Sequence, residues 1–315
     1  HAAAFAHLVY VSAWIKCWHP DVFCAALLNS QPMGFYAPAQ IVRDARQHGV
    51  RVLHPDVNLS DWDTRLEALP PLRPDGRGTT RSVVEGASTP TLGPVRLGLR
   101  QIDGFRRDWA EAIMAARPFA SLDDLRTRAR LPAQALDALA AADALSSLKL
   151  SRRGGLWAAK GLPRAKPAPL FAAAGLDEDD GAPPTVLPRM AASEEVVRDY
   201  ETLRLSLKAH PMSFLRERFA AEGVRPCAEV ETLRNGARVA IAGVVLVRQR
   251  PGSAKGVCFI TLEDETGVAN IVVWPKVFET FRPVIMGGRM LGVRGRIQRA
   301  EGVSHLVPTR RARRS

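Results

Sequence analysis

The stretch GLRQIDGF, from Gly98 to Phe105, has the residue types of a phosphate-binding turn. Glycine allows a ligand to approach the backbone because no Cβ intervenes. An amphipathic helix follows directly, and the N-terminus of a helix offers phosphate unpaired N–H groups and partial positive charge. Taken alone, Gly98 and Gly104 favour a plain turn between two helices. The basic residues beside the turn are Arg100, Arg106 and Arg107.

A second unit of the same kind follows along the chain. The segment ARLPAQALDAL repeats the order of helix, tight turn and helix, with Arg128 and Arg130 before its turn. A doubled hairpin with adjacent arginines is typical of proteins that bind the DNA backbone without reading its sequence. We therefore predict two phosphate-gripping hairpins rather than two plain turns.

The third group of candidate residues lies in the C-terminal part of the chain. Phe259 suits stacking on bases, but an aromatic residue on a strand is more often part of the core, and both interpretations stay open. The same two alternatives apply to Trp274. The basic candidates are Arg248, Arg250 and Lys255 in the loop after the first strand, and Arg294, Arg296 and Arg299 along the fourth strand.

No complete catalytic site can be assembled from the sequence. The carboxylates of Asp61 and Asp63 resemble a metal pair, but they follow HPDVNLS, which we interpret as an exposed exit of the chain. The histidines lie in no HExxH motif, and GxSxG and Walker motifs are absent. The four cysteines form no CxxC pair, which argues against a zinc site and favours reduced thiols in the cytoplasm. We predict no catalytic or metal-binding residue in this chain.

Periodicity and composition divide the chain into six segments of a multidomain α+β protein. The order β-β-β-α-β-β near the C-terminus is that of an OB-fold, a five-stranded barrel that commonly binds single strands. The predicted segments are a helical region (1–67), a loop or hairpin insertion (68–95), a tandem helix-hairpin-helix domain (96–157), a linker (158–192), connecting helices (193–229) and the OB-fold (230–310).

The charge of the chain favours a polyanionic partner. The net charge is +12 over 315 residues, and 14 Lys and Arg against 5 Asp and Glu lie in residues 235–315. General arginine enrichment would spread this excess evenly, so its concentration favours nucleic-acid binding. No apolar run approaches the ~20 residues that a membrane-spanning helix needs.

The segments that carry these motifs resemble the bacterial C-family DNA polymerases. NSQPMGFYAPAQIVRDARQHGV is similar to the error-prone branch, which is related to the DNA polymerase III alpha subunit. LGLRQIDGF, SLKAHPMSFLR and FITLEDETGVANIVVWP are similar to its helix-hairpin-helix, pre-barrel helix and OB regions. The resemblance implies the C-terminal part of a DNA-directed DNA polymerase for damage-induced translesion synthesis and repair. Residues 1–67 would then be a remnant of the fingers domain.

The resemblance also implies roles for individual residues. His1, Ser12 and Lys16 would lie near the incoming triphosphate, the hairpins would hold duplex DNA, and the OB-fold would lie near the single-stranded template. Mg²⁺ and dNTPs are implied for the parent polymerase, whose palm carboxylates would lie upstream of His1, so this piece would not polymerise alone. Leu170 and Phe171 match the end of a sliding-clamp peptide but lack its initial Gln. This departure favours indirect clamp recruitment through an inactive lesion-bypass-polymerase-like accessory protein.

Both ends of the sequence suggest a piece of a longer chain. It begins at His1 rather than Met, and its terminal PTRRARRS differs from the usual ending of the family, which suggests truncation or a frame change near Pro308. The alternative function is a stand-alone single-stranded-DNA-binding or replication adaptor protein built from the same modules. Sequence upstream that encodes paired palm aspartates would discriminate the two.

Overall fold

The computed structural model describes residues 2–34, 36–67, 92–161, 187–300 and 302–309. The chain forms two compact units, which we call the helical unit (His1–Leu207) and the barrel unit (Lys208–Ser315). The boundary between them falls inside the segment 193–229 that the sequence predicts as connecting helices. The predicted linker 158–192 lies outside the described residues from 162 to 186.

The helical unit begins with three helices. Proline at the first position of a helix costs no hydrogen bond and presets φ, which accounts for the starts of the second and third helices at Pro20 and Pro38. Leu28 and Ile41 are buried in the shared core of the unit. The bounds are α1 (Ala2–Trp18), α2 (Pro20–Asn29) and α3 (Pro38–Gln47).

A small three-stranded sheet follows α3. Its strands are β1 (Val52–Leu53), β2 (Arg65–Leu66) and β3 (Val95–Arg96), in the order β1-β3-β2. β1 pairs with β3 in parallel, and β2 pairs with it in antiparallel register. Residues 68–91, the greater part of the predicted insertion, lie outside the described residues.

Among the described residues, five further helices pack around one core in the helical unit. Ser121 precedes α5, and its Oγ accepts a hydrogen bond from the Asp124 N–H at 3.1 Å, as expected of a helix cap. Arg152 on α7 forms a fully buried ion pair with Asp199 on α8. The bounds are α4 (Arg107–Ala116), α5 (Leu122–Ala129), α6 (Ala133–Ala141), α7 (Arg152–Gly161) and α8 (Ala192–Leu203).

The barrel unit has the predicted β-β-β-α-β-β order, preceded by a short helix and an edge strand. Apolar residues alternate along the long strands and point inward, as on β6, where Ile260 and Leu262 are buried. The bounds are α9 (Arg216–Ala221), β4 (Val224–Arg225), β5 (Arg238–Gln249), β6 (Cys258–Glu263), β7 (Val268–Val273), α10 (Pro275–Gly287), β8 (Met290–Ala300) and β9 (Val303–Pro308).

The pairing of the strands closes the barrel and confirms the OB-fold prediction. The strand order is β5-β6-β7-β9-β8, and β8 also pairs with β5. β5 closes the barrel because its residues 238–244 pair with β8 and its residues 244–249 pair with β6. With the helices of the first unit, the barrel confirms a mixed α+β chain of more than one domain.

Candidate nucleic-acid interface

The tip of the first hairpin is open to solvent. A 3₁₀ turn at Leu99–Gln101 leads through the tip into α4. Gly104 is exposed with φ +70°, and no atom lies within 4 Å of the position that a Cβ would take. The neighbouring N–H groups of Asp103 and Phe105 donate to Thr202 and Ile102, so they hold the shape of the turn. Gly104 therefore presents an unobstructed backbone at the N-terminal side of α4.

The structure places Gly98 in the interior instead. Its N–H donates to the Thr64 Oγ1 at 3.1 Å. A Cβ at this position would overlap the backbone of Trp62 and Asp63. The missing side chain thus allows two chain segments to cross closely, and Gly98 is buried rather than part of the exposed tip.

The three arginines beside the first hairpin differ in their surroundings. Arg100 donates to Asp63 at 2.7 Å and to the carbonyl groups of Asn29 and Gln31, so it braces the interior of the unit. Arg106 is 63% exposed and pairs with Asp108, while Arg107 is 72% exposed and pairs with Glu111. Only Arg106 and Arg107 are therefore positioned to meet a ligand at the surface.

The second hairpin shows the same division of its arginines. Arg128 lies over the Phe119 ring at 5.3 Å and donates to the Pro118 carbonyl at 2.7 Å, so it holds the turn that precedes α5. Arg130 occupies the turn into α6 with φ +51° and is exposed. Among the described residues, Arg130 makes no hydrogen bond or ion pair with another side chain.

A buried polar cluster supports the hairpins, and it corrects the interpretation of HPDVNLS as an exposed exit. Asp56 is fully buried and accepts hydrogen bonds from the Ser146 Oγ and the Ser147 N–H, each at 2.9 Å. Ser60 is also fully buried and donates to the Leu97 carbonyl. The polar residues of this segment satisfy one another across the chain, a pairing that composition alone does not reveal.

The two aspartates after this segment are engaged in ion pairs. Asp61 accepts from Arg117 at 2.5 Å and from Arg65 at 2.8 Å. Asp63 accepts from Arg100. Each carboxylate is neutralised by arginine within the unit, so the pair acts as a structural brace.

Of the three basic residues predicted in the loop between β5 and β6, Arg248 lies on β5 itself, and one of the other two is an unengaged cation. Arg248 donates to the carbonyl groups of Met286 and Gly288, where it caps the C-terminus of α10. Arg250 lies 4.3 Å over the Phe278 ring and pairs with Glu279. Lys255 is exposed, and among the described residues it has no polar partner.

Two aromatic side chains lie on the outer face of the barrel beside this loop. Phe259 on β6 is 39% exposed, and its register partner on β7 is Val272. Trp274 follows Val272 by two residues and is 51% exposed, so it continues the same face. The face of these two strands and the adjoining loop form the nucleic-acid-binding surface of OB-folds. Phe259 is therefore not a core residue.

The basic residues of β8 form a separate group. Arg294 and Arg296 are exposed and alternate onto one face of the strand. Arg299 is instead held by the Ser304 Oγ at 3.0 Å and by the Glu231 carbonyl. Arg238 on β5 lies directly opposite Arg296. The sequence around Arg238 gives no sign of this role, because only strand pairing brings Arg238 to this face.

The remaining predicted site residues lie on α1 or outside the described part of the chain. Ser12 is exposed, and Lys16 follows it by one helical turn and pairs with Asp44 at 2.9 Å. The side chains of His1, Leu170 and Phe171 lie outside the described residues. The same helix exposes several large apolar side chains, including Phe5, Leu8, Val9, Tyr10 and Trp14.

Cysteines and other potential metal ligands are dispersed. The four cysteines are free, and burial, with smaller contributions from Asp44 and Asp21, raises the pKa of Cys24 to about 12. Among the described residues, no group of three or more His, Cys, Asp or Glu side chains could hold a metal ion. In that same part of the chain, no helix is both long and apolar enough to cross a membrane.

Comparison with known families matches two modules of the chain. Residues 49–155 match the helix-hairpin-helix motif, and residues 239–310 match the OB-fold nucleic acid binding domain. Among solved structures, that of asparaginyl-tRNA synthetase from Pyrococcus horikoshii is similar to 27% of this chain, and the match covers 20% of the synthetase chain. The sequence identity is 29% and the TM-score is 0.23.

Three curated relatives are similar over nearly the whole chain. The error-prone DNA polymerase of Brucella abortus biovar 1 (strain 9-941) is 54% identical over 98% of this chain and 27% of its own. The error-prone DNA polymerase of Rhodopseudomonas palustris (strain HaA2) is 53% identical over 100% of this chain and 27% of its own length. The error-prone DNA polymerase of Sinorhizobium medicae (strain WSM419) is 49% identical over 98% of this chain and 28% of its own length. This chain spans about a quarter of the length of these relatives. It therefore carries helix-hairpin-helix and OB-fold nucleic-acid-binding modules and is similar, throughout its length, to error-prone DNA polymerases.

Proposed function

We propose that this chain is the DNA-handling C-terminal portion of an error-prone DNA polymerase that acts in damage-induced translesion synthesis and repair. The observation that carries the proposal is the collinear 54% identity to such a polymerase over 98% of the chain. The exposed aromatic residues and cations on both modules support it. The palm carboxylates, the Mg²⁺ ions and the dNTPs of the reaction belong in this proposal to the rest of the polymerase.

The OB-fold would bind the single-stranded template through the outer face of β6 and β7. Phe259 and Trp274 are exposed on this face, and base–aromatic stacking contributes about 1–3 kcal/mol per base while tolerating any sequence. Lys255 in the adjoining loop would meet a phosphate of the same strand. Tolerance of sequence and of altered bases is what a polymerase that copies damaged template requires of such a surface.

The hairpins would hold duplex DNA by its backbone. Gly104 presents an open helix N-terminus, and Arg106, Arg107 and Arg130 lie exposed around the two hairpins. Contacts of this kind fix position on the duplex without reading bases. Arg100 and Arg128 would contribute indirectly, because their hydrogen bonds hold the hairpins in shape.

The remaining roles rest on the family resemblance and on the position of α1. Ser12 and Lys16 would lie near the triphosphate of the incoming nucleotide, and Lys16 would exchange its contact with Asp44 for phosphate. An inactive lesion-bypass-polymerase-like protein would recruit the polymerase and, through it, the sliding clamp. The site of action would be the bacterial cytoplasm.

Fluorescence anisotropy with labelled oligo(dT) tests the proposal on the full chain. The double variant Phe259→Ala/Trp274→Ala should bind at least about tenfold more weakly, because two stacking contacts are lost. Trp157→Ala/Phe214→Ala is a matched control, since these two aromatic residues are also exposed but belong to α7 and to the 3₁₀ turn Pro211–Leu215 and not to β6 or β7. Equal loss in both double variants, or no binding by the unaltered chain, would overturn the proposal.

A further inference from the structure

We infer that the barrel carries a second DNA contact, a phosphate-binding surface formed by Arg238, Arg294 and Arg296, which we call the arginine wall. The inference rests on the proposed function and assigns it a second, chemically distinct surface. The first surface, on β6 and β7, would stack on bases. The arginine wall would bind only the backbone of a single strand.

The three arginines share one face because of strand register. Arg238 on β5 and Arg296 on β8 are partners in antiparallel pairing, so their side chains leave the sheet on the same side. Arg294 precedes Arg296 by two residues and therefore projects from the same face of β8. All three are exposed.

The charges of the arginine wall are not neutralised by the protein. Among the described residues, none of the three side chains has a hydrogen bond or an ion pair, in contrast to Arg248, Arg250 and Arg299. Like charges directly opposite one another on a sheet are destabilising. An arrangement that costs folding stability and leaves three guanidinium groups open is best explained by an anionic ligand that lies across them.

Topology separates this surface from the aromatic face. β8 pairs with β5 and β9 and with neither β6 nor β7, which places it on the opposite wall of the barrel. The segments that form the arginine wall, residues 238–243 and 290–300, contain no Phe, Tyr or Trp. A nucleic acid bound here would contact guanidinium groups but no aromatic side chain on which a base could stack. Binding at this surface would therefore be confined to the phosphates.

The spacing favours a single strand as the occupant. Alternate residues on a strand recur about every 6.8 Å, and paired strands lie about 4.8 Å apart, so the three charges form one short track. The two backbones of a duplex border a major groove about 12 Å wide, and this track would meet only one of them. The OB-fold module itself is a nucleic-acid-binding family, which favours DNA over an acidic peptide or a lipid surface.

Anisotropy with two labelled probes tests the inference on the full chain. One probe is oligo(dT), and the other is a strand of the same length made of abasic deoxyribose phosphates. Arg238→Gln/Arg294→Gln/Arg296→Gln should weaken binding of the abasic strand about tenfold. The slope of log affinity against log salt concentration should also become shallower by about 2, since each phosphate contact contributes about 0.7 to that slope. The corresponding triple Lys variant should restore most of the affinity, because it retains the charges.

The matched control removes the same net charge elsewhere. Arg198, Arg218 and Arg225 are exposed but paired with Glu201, Glu222 and Glu229, and Gln at these three positions should leave abasic binding nearly unchanged. Equal loss in both triple Gln variants would mean a general charge effect and would overturn the inference, as would no loss in the wall variant. Phe259→Ala/Trp274→Ala should weaken binding of oligo(dT) while leaving binding of the abasic probe nearly unchanged. The two probes therefore distinguish the outcomes: the inference about the arginine wall can be contradicted by the abasic probe while oligo(dT) binding still supports the proposed function.

Discussion

The guanidinium of Arg216 donates a hydrogen bond to the Asp264 Oδ2 at 2.8 Å and thereby ties the start of α9 to the turn between β6 and β7. Asp264 is only 2% exposed, and it also accepts from the N–H groups of Cys227 and Thr266, each at 2.8 Å. Burial raises the pKa of this carboxyl group, but hydrogen bonds, chiefly from Thr266, and the charge of Arg216 outweigh burial and hold the pKa below 3.8. The turn that supports the aromatic face therefore depends on an ionised, fully satisfied carboxylate.

Asp264→Asn should destabilise the barrel unit. The substitution removes one of the two carboxylates that pair with Arg216, the other being Glu265. It also replaces one buried accepting oxygen by a donor, and leaving buried donors unsatisfied costs about 1–3 kcal/mol. Urea unfolding followed by tryptophan fluorescence measures the change, in a background in which the five tryptophans of the helical unit are replaced by Phe so that Trp274 alone reports. Asp137→Asn, at an exposed position of the helical unit, should change the midpoint little. A midpoint for Asp264→Asn equal to that of the control would contradict this account.

The same carboxyl group should make the barrel unit sensitive to acid. The pKa of Asp264 is lower in the folded state, so its contribution to stability is fully present above the ordinary carboxyl value of 3.8. This contribution is lost as the pH falls from that value towards the folded pKa, because the unfolded state binds a proton in this range while the folded state keeps the carboxylate ionised. Urea midpoints measured from pH 7 to pH 3 should fall more steeply for the unaltered chain than for Asp264→Asn. Parallel curves would exclude Asp264 as the cause.

Gly104→Val should weaken duplex binding more than it lowers stability. A β-branched residue at φ +70° strains the backbone by about 1–3 kcal/mol, and its side chain would cover the open tip. Gly236→Val in the barrel unit is a matched control, because Gly236 has φ +79° and equally open surroundings. Anisotropy with a labelled duplex, together with thermal melting, separates the two effects. A folded Gly104→Val chain that binds duplex as well as the control would refute the phosphate-gripping hairpin.

Arg238→Gln should stabilise the barrel unit while it weakens binding to the abasic strand. Relief of the like-charge pair with Arg296 is expected to contribute about 0.2–1 kcal/mol at low salt. The gain should shrink as salt screens the repulsion. Urea unfolding at two salt concentrations measures it. A loss of stability on substitution would mean that Arg238 makes a structural contact instead.

Pairings between distant segments explain where the sequence analysis was wrong or incomplete. HPDVNLS has the composition of an exposed loop, yet Asp56 is buried because Ser146 and Ser147, some ninety residues away, supply its donors. Arg100, Arg128 and Arg248 look equivalent to Arg130 and Lys255 in the sequence. Their difference arises because carbonyl groups and carboxylates from other elements reach the first three.

Local patterns were sufficient for the order of the modules. These patterns are properties of neighbouring residues: strand alternation, proline and glycine at helix and turn boundaries, and positive charge concentrated near the C-terminus. The sequence by itself therefore determined the helix-hairpin-helix and OB-fold architecture and the polyanionic class of its partner. Only the tertiary structure decided which of the candidate residues are exposed and which are held by contacts within the chain. Barrel closure places Arg238 against Arg296 and turns Phe259 and Trp274 outward, because strand register depends on pairing across the sheet and not on the order of residues along one strand.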